Sequence, residues 1–211
     1  MTESLGIVEI LGIAGSVSLL SGWRLYLTAL ATGLAMHFGV LPLPEHLQSL
    51  QVLANPWVMG VAGVAAFMEF FADKILWLDS IWDTVHTFIR PIGGALLTLA
   101  VIDPSDPATQ AIAFILGGGA SLLAHGGKAS ARAVVNTSPE PFSNVAVSAV
   151  EDVATTGLLY LAYTNPIAAG VVALVLLVLT VVLMVVAWRV LRKVFLKVQG
   201  EPVPAAVPPE V

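Results

Sequence analysis

Residues 69–91 read "EFFADKILWLDSIWDTVHTFIRP" and lie between two apolar runs. The stretch holds Glu69, Asp73, Asp79, Asp83, Lys74, His86 and Arg90, which is dense charge for such a position. If the chain is helical from Asp79 onward, with "DS" as its N-terminal cap, then Asp79, Asp83, His86 and Arg90 fall at i, i+4, i+7 and i+11. At about 100° per residue they share a stripe roughly 60° wide. Two carboxylates and an imidazole on one face suit a divalent cation such as manganese, iron or zinc. Asp79, Asp83 and His86 are therefore candidate metal ligands, with Glu69, Asp73, His125, Glu140, Glu151 or Asp152 available to complete a shell. A solvated helix face is the competing reading, because acids near a helix N-terminus are favoured with no ligand at all. A third is an ion-pair network joining Lys74, Arg90, Lys128 or Arg132 to Glu151 and Asp152.

A second polar connection, "HGGKASARAVVNTSPEPFSNVAVSAVEDVATTG", spans residues 125–157. Asn144, Ser148, Glu151 and Thr155 repeat the i, i+4, i+7, i+11 spacing. Asp79, Asp83, His86, Glu151, Asp152 and Asn144 are accordingly expected to face a small polar or ionic solute. Arg24, Lys74, Arg90, Lys128 and Arg132 are their expected counter-ions or gating partners. Arg24 stands alone in an apolar run; it either snorkels to the interface or meets a carboxylate in a cavity.

The elements that position these groups are read from composition. Of 211 residues 57% are hydrophobic and 11% charged, with a mean hydropathy of +0.90. A soluble domain carries about a quarter charged residues. The continuous apolar runs argue against a β-barrel. The expected fold is an all-α polytopic membrane protein with about six transmembrane helices, near 7–38, 57–72, 84–101, 109–127, 144–163 and 167–190. Two polar hairpins, cytoplasmic or re-entrant, join them. Units 57–101 and 109–163 suggest a parallel internal repeat within a single domain, 1–198, followed by a disordered proline-rich tail, 199–211. The first run is too long for one simple crossing and contains "GSVSLLSGWR", so a tilt, a break or a re-entrant half-helix is expected there. "GGG" at 117–119 suits close helix packing, within one chain or between copies, which leaves a homo-oligomer open.

Eight of the nine basic residues fall on one set of connections, which the positive-inside rule places in the cytoplasm together with the C-terminus. Six crossings put the N-terminus there as well; a first run that crosses twice moves it outside. The acidic start "MTESLGIVEI" does not read as a secretory signal. No cysteine is present, which excludes thiolate metal sites and disulfides. A net charge of −5 gives no case for nucleic acid. No G-x-S-x-G or H-E-x-x-H motif occurs, and Ser121 beside His125 is the one local nucleophile–base pair, so no enzymatic activity is expected.

"ADKILWLDSIWDTVHTFIRP", "KASARAVVNTSPEPFSNVAVSAVEDV" and the opening "SGWRLYLTALATGLAMHFG" resemble a bacterial polytopic membrane protein family, domain-of-unknown-function family 4126. The likeness covers roughly residues 10–165. It implies a small inner-membrane protein and brings no activity with it. The expected function is a small transporter or channel for an ionic or polar solute, a cation slightly favoured. The alternative is a non-transporting scaffold whose hairpins dock a cytoplasmic protein or lipid headgroups. A cavity lined by both stripes would favour transport, and charges all paired internally would count against it.

Overall fold

The computed structural model describes residues 6–39, 45–102, 107–135 and 142–200. The chain is an all-α polytopic membrane protein. Its helices are α1 (Ile7–His37), α2 (Pro56–Ala72), α3 (Leu76–Val101), α4 (Pro107–Val135), α5 (Phe142–Thr164) and α6 (Pro166–Gly200), with a 3-10 helix at Glu45–Ala54. Five of them are long and apolar enough to cross a membrane, and α2 is a shorter apolar helix. Residues 103–106, Glu140 and residues 201–211 of the proline-rich tail lie outside the described residues; Gln199 and Gly200, expected in the disordered tail, are the end of α6.

Local chemistry sets the helix starts. Asn55 caps α2, its side-chain oxygen accepting from the Trp57 amide at 2.9 Å, with Pro56 in the first turn, where its missing N–H costs nothing. Asn165 does the same for α6, accepting from the Ala168 amide at 3.2 Å, so "YTNP" is a minimal hairpin. Helix α3 begins at Leu76, earlier than the expected cap at Asp79, and Asp79 sits inside its first turn. Helix α4 likewise continues past 127, so Lys128 and Arg132 lie on the helix and not in a connection.

Helix α1 touches all five other helices and is the centre of the bundle. It is not straight: Arg24, at φ −143° and ψ 75°, interrupts it. Gly12 lies against the carbonyl of Pro166 and the backbone of Gly170. Twenty residues later, Thr32 receives a 3.5 Å hydrogen bond from Tyr163. A continuous helix would hold Gly12 and Thr32 about 30 Å apart, yet both meet the same α5–α6 hairpin. Helix α1 therefore folds back on itself at Arg24, a descending limb up to Trp23 and an ascending limb from Leu25. The ascending limb runs antiparallel to α2, with Leu30 near Gly63 and Gly33 against Leu53 and Met59.

Of the forms open to the first run, the break is the one the fold adopts, and it changes the topology. Six crossings would have placed both termini on one face. With α1 folded back, its start lies with the start of α6, and the far end of α6 lies on the opposite face. Residues 45–54 pack into the bundle: Leu50 is buried, and Leu53 packs against α1.

Apolar side chains cover the outer faces of α4 and α6, among them Ile115, Leu116, Leu174 and Val178, and contact the lipid bilayer. Trp57 and Trp77 are exposed at helix starts, as interfacial tryptophans are, and Trp188 is exposed where the uncharged part of α6 gives way to Arg189. Trp23 and Trp82 instead turn toward the bundle, where Trp82 stacks on His86. Helices α3 and α4 pack extensively whereas α4 and α5 scarcely touch, so the polar elements meet around α1.

Candidate functional site

The ends of α2 and α4, the starts of α3 and α5, and the break in α1 converge on one end of the bundle. Each carries charge, and the helical registers turn that charge inward. Asp79, Asp83, His86 and Arg90 are all buried, so the α3 stripe is an interior face and not a solvated one. Ser148 and Thr155 of α5 are buried too, facing α1, with Glu151 and Asp152 half-buried beside them. The side chain of Asn144 lies outside the described residues.

Arg24 is 1% exposed and does not snorkel. Its guanidinium pairs with Asp73 through Nη1 and with Asp152 through Nε at 3.0 Å. Nη2 donates to the Ser148 hydroxyl at 2.8 Å and lies 3.7 Å from Glu151. Asp73 is the hub: its Oδ2 also takes Lys128 at 3.0 Å and Arg132 at 3.4 Å. Arg132 further binds Asp79 and Glu151, each at 3.1 Å. Burial pushes the Asp73 carboxyl up, but Lys128, Arg24 and Arg132 outweigh it and hold it below the usual aspartate range. Lys74, on the same connection, donates to the Ser148 hydroxyl at 3.3 Å and caps the Phe70 ring. Burial lowers its basicity against the pull of Asp152.

A second centre forms around Arg90, which is fully buried. Its Nη2 donates to Glu69 at 2.8 Å and its Nη1 to Asp83 at 3.2 Å. Nη1 also meets Nδ1 of His125 at 2.6 Å. A guanidinium only donates, so Nδ1 accepts and the His125 proton sits on Nε2. That nitrogen points at the Asp83 carbonyl and the Thr87 hydroxyl, both at 3.1 Å. His125 is thus held as a neutral imidazole. Ser121 donates to the Arg90 carbonyl at 2.8 Å, so it is not aimed at His125 as a nucleophile would be.

The break in α1 belongs to both centres. It frees carbonyls at the end of the descending limb, where negative partial charge accumulates. Arg90 reaches the Gly22 carbonyl at 3.3 Å, and Lys128 reaches that of Trp23 at 3.2 Å. Cations from α3 and α4 therefore cap a half-helix inside the bundle.

Of the expected metal ligands, His86 is bound elsewhere. Its ring hydrogen-bonds the Trp82 carbonyl at 2.7 Å and the Tyr26 hydroxyl at 3.1 Å. Packing instead gathers three acids, Asp73, Asp79 and Asp83, each with an oxygen within 4.8 Å of the others. Arg24, Lys128 and Arg132 pair with Asp73, Arg132 also with Asp79, and Arg90 with Asp83, which is why three carboxylates can be buried together. Sequence reasoning had Asp73 and Glu69 only as auxiliary ligands. Their position at the end of an apolar helix was the signal, since charge there must be satisfied from neighbouring helices.

Asp79, Ser80, Asp83, Thr84, Thr87 and Arg132 are among the residues lining a cavity of about 190 Å³ between α3 and α4. A larger cavity, about 640 Å³, lies toward the other end, where Leu11, Ile112 and Leu116 help to line it. Its lining is apolar and, among the described residues, includes no ionisable group, whereas the smaller cavity is lined by Asp79, Asp83 and Arg132. The profile of a family described as Domain of unknown function (DUF4126) matches residues 11–186, a stretch that contains every charged group of both centres. No curated protein and no solved structure matches the chain.

Proposed function

The chain belongs to that DUF4126 family, and for this member we propose a transporter or channel for a small ionic solute, a cation favoured, in a bacterial inner membrane. One observation carries the reading: the central helix is broken at a buried arginine, among three carboxylates, one from the turn between α2 and α3 and two from α5. Discontinuous helices place charged groups and free backbone carbonyls where a solute must shed its hydration. Ionisable groups at such depth are expensive, and that cost supports a functional reading of them.

In this mechanism Asp79 and Asp83 receive the solute from the small cavity. Arg132 and Arg90 give up part of their pairing as it enters, and the released charge biases Arg24 between Asp73 and the Glu151–Asp152 pair. No covalent chemistry is required, and the protein acts without enzymatic turnover. The C-terminal end of α6, with Arg189, Arg192 and Lys193, faces the cytoplasm by the positive-inside rule, so the cavity opens to that side.

A scaffold remains the second reading, favoured by the internal pairing of the buried cations. The two separate in proteoliposomes on a solid-supported electrode, challenged with sodium, potassium, proton and chloride gradients. Transport gives transient currents that fall at least tenfold in Arg24→Gln. Silence in every gradient, from a folded and correctly inserted protein, removes transport and leaves the scaffold.

A further inference from the structure

Among the described residues the charge cluster does not balance, and the imbalance has an address. Six carboxylates, of Glu69, Asp73, Asp79, Asp83, Glu151 and Asp152, face five cations, of Arg24, Lys74, Arg90, Lys128 and Arg132, while His125 is held neutral. Asp73, Asp79, Glu151 and Asp152 lie with Arg24, Lys128, Arg132 and Lys74, four against four. The remainder is the Arg90 centre, where one guanidinium serves both Glu69 and Asp83. One negative charge is left over there.

Glu69 is the carboxylate least able to carry it. It is 1% exposed, its Oε1 has the contact to Arg90, and its Oε2 is buried with no hydrogen-bond partner among the described residues. A bare, buried carboxylate oxygen is costly, and a proton on it removes both the charge and the lone acceptor. Asp83, by contrast, lines the cavity. Thr87 lines it as well and also contacts His125, whose other nitrogen meets Arg90.

Resting on the transport reading, we propose that Glu69 is the site of one exchangeable proton, reached from the cavity at Asp83 and Thr87 and held in register by Arg90. When hydronium delivers its proton, the Glu69 carboxylate becomes a neutral acid, water is left behind, and Arg90 is released to Asp83 alone. When the proton leaves, Arg90 is shared again. The groups that face this pair are Arg24 and Tyr26 from α1, Asp73 from the turn after α2, Asp83 and His86 from α3, and His125 and Lys128 from α4. Among the described cations Arg90 alone is paired with Glu69, so its pairing is the one that protonation alters.

The test reads protonation at equilibrium and needs no flux. Infrared difference spectra of the full-length protein in lipid are recorded across a pH titration, for the wild type, Glu69→Gln, Asp83→Asn and Asp79→Asn. The expected result is one protonated-carboxyl band of a buried acid, absent in Glu69→Gln, shifted in midpoint by Asp83→Asn and retained in Asp79→Asn. A band that survives in Glu69→Gln, or an imidazolium signature that titrates in its place, overturns the assignment. If Glu69→Gln fails to fold, ¹³C-carboxylate labelling of glutamate alone, in the wild type and in Glu151→Gln, keeps the assignment testable: a titrating band that does not move with the isotope, or that is lost in Glu151→Gln, overturns it. A wild-type band without any ion current would remove the transport reading and leave the proton site standing.

Discussion

Asp73 is a three-residue connection's worth of sequence doing the electrostatic work of a hub. It accepts from Arg24, Lys128 and Arg132 on two helices and sits where α2 gives way to α3. Removing one partner of a buried ion pair costs about 3–5 kcal/mol, because the survivors keep their desolvation penalty. Asp73→Asn leaves three cations facing one neutral amide, so a loss toward the upper end of that range is expected, seen as a drop in thermal midpoint in detergent. The pH dependence has a definite sign. The folded-state value of this carboxyl lies below its unfolded value, about 3.9, so its stabilisation is complete above that pH and is lost as pH falls through the folded value. Wild-type stability should decline below about pH 4, and the Asp73→Asn variant should show a shallower decline over the same window. Equal slopes would remove Asp73 as the responsible group. Charged residues near helix ends were legible as a polar site. The choice of Asp73 as hub was not, since nothing local says which acid faces three cations.

At the scale of elements, the half-helices of α1 stay close to their neighbours because glycine lets them. A side chain at Gly22 would meet the carbonyl of Ser121, the methyl of Ala124 and the amide of His125 on α4. That contact sets the depth at which Arg90 finds the Gly22 carbonyl. Gly119, in the "GGG" run, has open space where a Cβ would go. Gly22→Ala should therefore cost about 1–3 kcal/mol through overpacking, while Gly119→Ala stays within about 0.5 kcal/mol. Parallel thermal unfolding of the two variants checks the pair, and equal effects would mean that α1 and α4 do not approach as closely as described. The glycine-rich patches were visible in the sequence as sites of close packing. Which of them are filled depends on helix crossings that no local pattern encodes.

At the scale of the molecule, the fold-back of α1 fixes which ends share a face. The protein has no cysteine, so any introduced thiol is the sole reporter. Ile7, Phe38 and Arg192 are all exposed. Single variants Ile7→Cys, Phe38→Cys and Arg192→Cys, probed with a membrane-impermeant maleimide, should label from one face for the first two and from the opposite face for the third. Labelling of Ile7→Cys and Phe38→Cys from opposite faces would mean that α1 crosses as a continuous helix. The arrangement also explains why the site is compact: a central element that turns back presents its tip to four others at one depth.

The amino-acid sequence by itself determined the class of the molecule and the faces of its helices. Long uncharged runs such as residues 166–188 have no stable place except lipid, and the i, i+4, i+7, i+11 spacing obliges Asp79, Asp83, His86 and Arg90 to share a side whatever they pack against. The family likeness was also carried in those local strings. Only the tertiary structure decided that this side faces inward, that Arg24 breaks its helix to reach Asp73, and that His86 turns to Tyr26 while His125 joins Arg90. The physical reason is that buried charge is satisfied by partners distant in sequence. Asp73 and Lys128 are brought together by packing and not by spacing, and the energy that selects their pairing exists only once water has been excluded.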